Sequence, residues 1–150
     1  MSLTQLHAAL ANSVFFFSVI VGLYGLLIYF RKQTITPAYW GTLVIAELLY
    51  VAQALVGLVL VLQGESPARG VHYLYGILSI ISLPAAYAFL RGRDDRQAAL
   101  SFGLIGLFMA GVALRAQTTA AQPAPAGWLP LAFGTALWLG ARSRRVAPPG

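Results

Sequence analysis

Hydrophobic residues in this chain are gathered into long unbroken runs, and charged residues are almost confined to the gaps between them. The runs lie at about 8–30, 38–62, 71–90 and 97–116, with a shorter one at 128–141. A helix of about 20 apolar residues crosses a hydrocarbon core of about 30 Å. Lipid tolerates only structures that satisfy their own backbone hydrogen bonds. The pattern therefore predicts an all-α fold: a polytopic transmembrane helical bundle, forming a single membrane domain over 1–150. Four runs are long enough to span. The last, WLPLAFGTALWLGA, fits either a fifth span or a helix lying at the interface.

The gaps carry turn and capping signals. Residues 1–7 read as a short polar lead. Thr36 and Pro37 suit the N-cap and first helical position of span two. Tyr39 and Trp40 suit headgroup depth. QGESPARG, residues 63–70, has turn chemistry. RGRDDRQ, residues 91–97, reads as a solvated turn with Asp94 and Asp95 salt-bridged among arginines. Residues 117–127 read as a flexible Pro/Ala-rich linker. Pro84, inside span three, should kink it. Gly22 and Gly25 on span one, and Gly103, Gly106, Ala110 and Gly111 on span four, make small faces that admit a close neighbour.

Composition supports lipid as the solvent. Of 150 residues 59% are hydrophobic and 9% charged, too little charge to cover a water-facing surface. The net charge of +6 does not point to nucleic acid, because the basic residues flank apolar runs as membrane topology requires. The chain has no cysteine, which excludes disulfides, thiolate catalysis, iron–sulfur ligation and covalent haem attachment. The first run lacks a basic leader and ends at Arg31-Lys32, so it reads as a span and not as a cleaved signal. With five spans, Arg31, Lys32, Arg91, Arg93, Arg96, Arg142, Arg144 and Arg145 fall on one side, and Arg69 and Arg115 on the other. Basic loops stay cytoplasmic, so the expected N-terminus is outside and the C-terminus inside, in a bacterial-type inner membrane.

Few residues carry chemistry. His7 and His72, the only histidines, open spans one and three, which run parallel. At about 1.5 Å per residue they lie within two turns of each other in depth. Two imidazoles so placed suit the axial positions of one b-type haem, provided spans one and three are neighbours and His7 does not fray into solvent. Arg69 and Arg115, on the same side, suit its propionates. The blander alternative is two interfacial histidines with wet tips. Glu47 is the one acid within an apolar run, and Tyr50 and Gln53 follow it at three-residue steps. An intramembrane acid should face the bundle, either as a proton or ion site or as a packing hydrogen bond. Ser79 and Ser82 on span three lie at about its depth. No Walker, Rossmann, HExxH or GxSxG motif occurs in its required context, and no catalytic residue is assigned.

Leu6-His7, the stretch Gln53-Ala54-Leu55-Val56-Gly57, and His72 at the start of span three together resemble small four-helix b-type cytochrome-like membrane proteins. The resemblance covers the first four spans and implies a haem b between His7 and His72. Spans two and four contain no histidine, so it implies one bis-histidine haem at most. Three functions are expected to compete. One is a small haem-binding subunit of membrane electron transfer. Another is a non-catalytic structural or assembly subunit, packing against other membrane subunits or a second copy through its small-residue faces. The third is a proton or small-solute pathway centred on Glu47.

Overall fold

The structure is a computed structural model and describes residues 2–121. Among the described residues there are four α-helices and no strand: α1 Leu3–Phe30, α2 Pro37–Leu62, α3 Val71–Leu90 and α4 Arg96–Ala121. Each is long and apolar enough to cross a membrane. The run at 128–141, the arginines after it, and residues 122–127 of the expected linker lie outside the described residues.

Two helix ends differ from expectation. α1 begins at Leu3, inside the supposed polar lead, because Ser2 and Gln5 form a capping box. The Ser2 hydroxyl accepts from the Gln5 N–H at 3.2 Å, and the Gln5 side chain accepts from the Ser2 N–H at 2.9 Å. This satisfies two of the donors a helix start leaves open. α4 runs on to Ala121, so 117–121 is helix and not linker. Its polar residues are used inward and locally. Gln117 donates to the Ala11 carbonyl of α1 at 3.3 Å, the Thr118 and Thr119 hydroxyls donate to the Arg115 carbonyl, and Thr119 is fully buried. α2 starts as expected at Thr36 and Pro37. α3 keeps its expected ends and continues through Pro84.

The helices form a ring. α1 packs on α4 and α2, and α3 packs on α4 and α2, while α1 and α3 face each other across the diagonal. The closest seam is α1 against α4. A Cβ added to Gly25 would lie 2.7 Å from the Gly103 Cα, and one on Gly106 would lie 2.7 Å from the Gly22 nitrogen. Only glycine permits that backbone approach. Gly22, Gly25, Gly103 and Gly106 are thus used within the bundle. Gly111 is not part of the seam: it is exposed, with open space before it.

Tyr39 is fully buried within the bundle: its hydroxyl donates to the Val21 carbonyl at 3.1 Å and its ring meets Tyr24 edge-on. Trp40 packs edge-on against Tyr87 and Phe102. Of the phenylalanine run, Phe16 is exposed while Phe15 and Phe17 lean on the core.

The basic end of the bundle is tied by its loops. The Ile35 N–H donates to the Asp94 carbonyl at 2.6 Å, joining the α1–α2 and α3–α4 turns. Of the two acids expected to be salt-bridged, Asp95 alone forms a bridge among the described residues, with Arg93, and it also caps α4 by accepting from the Gln97 and Ala98 N–H groups at 2.9 and 3.0 Å. The Ala98 N–H, and after it Arg93, hold the Asp95 carboxyl below the usual carboxylate range. Arg96 lies over the Tyr29 ring, 4.2 Å from its centre, and donates to the Tyr29 carbonyl.

Candidate functional site

At the other end the capping box matters most. By starting α1 at Leu3, it places His7 in the second turn of a helix and not in a frayed terminus. His72 sits in the first turn of α3, its N–H bonded to the Arg69 carbonyl at 3.0 Å. α1 and α3 are diagonal, not neighbours as the haem reading had required. The two side chains nevertheless meet across the interior: their ring centres are 6.1 Å apart, with planes crossing at 63°.

All four helices contribute to this end. α2 supplies Gln53, whose side-chain amide lies 3.4 Å from His7 Nε2. It also supplies Gly57, where a Cβ would meet the His7 ring at 3.0 Å. α4 supplies the Ala116 carbonyl, which accepts from His72 Nδ1 at 2.9 Å. The Ala68 N–H donates to the Ala120 carbonyl, fastening the α2–α3 turn to the end of α4. Two polar atoms here are buried without a partner, His7 Nδ1 and Gln53 Oε1. Buried polar groups are normally satisfied, so these two atoms each call for a partner that the present contacts do not give.

The arginines flank the site. Arg69 is half-buried three residues before His72, and Arg115 is exposed one residue before Ala116. Among the described residues the one ion pair is Arg93–Asp95, so neither has an acidic partner there.

The polar stripe on α2 is divided among different neighbours. The Tyr50 hydroxyl and Ser18 Oγ share a buried hydrogen bond of 2.7 Å, and Ser18 also donates to the Val14 carbonyl at 2.6 Å. Gln53 goes to His7. Glu47 is half-buried, and its Oε2 is buried without a partner. Ser79 and Ser82 make no hydrogen bond to it. Their hydroxyls donate back to the Tyr75 and Leu78 carbonyls of their own helix at 2.8 and 2.5 Å. Sequence reading had no signal for Ser18 or the Ala116 carbonyl as partners. It passed over Ser2 and Gln5, although Ser-x-x-Gln is a recognisable helix start.

Two nitrogen donors on opposite walls can hold one metal ion between them. No group of three or more His, Cys, Asp or Glu side chains suited to a metal occurs among the described residues, so the pair would serve a metal that brings most of its own ligands. Comparison with protein families, with curated proteins and with solved structures finds no match to this chain.

Proposed function

We propose that the protein is a small integral membrane subunit that binds one b-type haem between His7 and His72 and takes part in membrane electron transfer. The observation that supports it is the spacing of the rings. A metal–nitrogen bond of about 2 Å on each side, plus about 1 Å from nitrogen to ring centre, puts axial imidazole centres about 6 Å apart. The rings stand at 6.1 Å. Their crossed planes are compatible with this, since each axial imidazole need only aim one nitrogen at the iron. The Ala116 carbonyl holds His72 with Nε2 free, and His7 has an unpartnered nitrogen. Bound there, a haem supplies one-electron chemistry. Arg69 and Arg115 lie at the same end and suit its propionates.

Charge gives the orientation. Among the described residues Arg31, Lys32, Arg91, Arg93 and Arg96 lie at the far end, against Arg69 and Arg115 at the histidine end. The far end is the cytoplasmic one by the positive-inside rule, so the site faces outward in a bacterial-type inner membrane.

A reduced-minus-oxidised spectrum of the detergent-purified protein tests the assignment. The expected result is a sharp α band, absent from His7→Ala and from His72→Ala while both keep their helix content. A wild-type protein without that band would remove the proposal.

A second reading, a proton pathway, has one observation behind it: the unpartnered, buried Glu47 Oε2. It predicts proton flux in liposomes that disappears in Glu47→Gln.

A further inference from the structure

We infer that Gln53 sets the tautomer of His7, so that the two histidines offer opposite ring nitrogens, Nδ1 from His7 and Nε2 from His72, to a metal between them. The inference rests on the haem reading and deepens it. His72 fixes one half. Its Nδ1 lies 2.9 Å from the Ala116 carbonyl oxygen, and a carbonyl only accepts. Nδ1 therefore carries the proton and Nε2 keeps a free lone pair.

On His7 the arrangement is reversed. Nε2 is the nitrogen that faces a neighbour, the Gln53 side-chain amide, placed with its nitrogen 3.4 Å away and its oxygen buried without a partner, and Nδ1 is buried with no partner. An amide presents its oxygen or its nitrogen from nearly the same position, and the surrounding network decides which. With nitrogen toward the ring, the Nε2 lone pair is taken, Nδ1 carries the proton, and the ring has nothing to give a metal. With oxygen toward the ring, the Nε2 N–H donates to it and Nδ1 keeps a lone pair. Only that orientation gives each histidine one free nitrogen.

The positions one turn either side of Gln53 on α2 are also engaged. One turn before it, Tyr50 is locked to Ser18 at 2.7 Å. One turn after it, Gly57 leaves the space into which the His7 ring fits, since a Cβ there would lie 3.0 Å from His7 Cε1. Gln53 is therefore a positioning residue that acts through His7. It also tunes the ligand: an N–H donated to an oxygen acceptor makes the opposite nitrogen a stronger base and favours the oxidised metal.

The chain has two histidines, so nitrogen-15 NMR of histidine-labelled protein in micelles, without cofactor, shows two rings; His7→Ala tells them apart. The expected result is His7 protonated on Nε2 and His72 on Nδ1. In Gln53→Leu the His7 ring should lose its fixed tautomer while His72 is unchanged. Both rings in the same tautomer, or a His7 ring indifferent to Gln53→Leu, would overturn the inference. In haem-loaded protein the midpoint potential should rise in Gln53→Leu and fall in Gln53→Glu, whose carboxylate is the stronger acceptor. Shifts of the same sign would also overturn it, because a purely structural role has no reason to reverse direction. Opposite tautomers in a protein that takes up no haem would uphold the tautomer assignment and remove the haem reading alone.

Discussion

Gly57 contributes by lacking a side chain. A methyl group at that position would lie 3.0 Å from His7 Cε1, closer than side chains normally pack, so Gly57→Ala must displace the ring by a few tenths of an ångström. Gly57→Val has no such small adjustment open to it. Its expected outcome is loss of the haem α band with an unchanged far-UV helix signal. Asp95 offers a pH test at the opposite end. Its carboxyl is held below the unfolded value of about 3.9. The stabilisation it gives is therefore complete above that value and is lost as pH falls through the lower folded one. Acid titration of thermal stability should show this limb in the wild type and lack it in Asp95→Ala. At this scale the sequence was partly readable. His7 and the stretch holding Gln53 and Gly57 stood out separately, with nothing to place them together, and Glu47, Tyr50 and Gln53 read as a single stripe. Three-residue steps on a helix climb about 4.5 Å and turn back about 60° each, so each side chain meets a different level of the opposing wall. Tyr50 finds Ser18, Gln53 finds His7, and Glu47 finds neither.

Helices were readable in their number and their middles and less so at their ends. Hydropathy marks the stretch that lipid must surround, whereas a helix continues for as long as its backbone is capped. α1 gains its first turn from Ser2 and Gln5, and α4 its last from Gln117 and Thr119 turned inward. The small-residue faces were visible as composition, yet which glycines touch depends on which faces meet. Gly103 and Gly106 lie against Gly22 and Gly25, whereas Gly111 looks outward. Gly106→Val should therefore cost on the order of 2 kcal/mol, the usual range for overpacking, and should lower the melting temperature in detergent. Gly111→Val, on the same helix with nothing within 4 Å, should melt with the wild type.

The whole bundle is a ring whose diagonal carries the candidate site, an arrangement that span order alone does not give. The haem reading required parallel spans one and three to be neighbours; α2 and α4 lie between them, and the two histidine side chains meet across the diagonal. The uneven basic ends are what support the proposed orientation. Single cysteines at exposed Ser66 and exposed Thr34 test it in intact cells. An impermeant reagent should label Ser66→Cys and spare Thr34→Cys, and the reverse pattern would turn the molecule over. The glycine seam, finally, bears on how the chain is assembled. Synthesis delivers α1 first and α4 last among the described helices, and these two make the tightest contact. α1 must wait in the bilayer with the notch at Gly22 and Gly25 empty until Gly103 and Gly106 arrive. A nascent chain stopped before Gly103 would hold the first three helices and an open notch, the last contact to close being the tightest one.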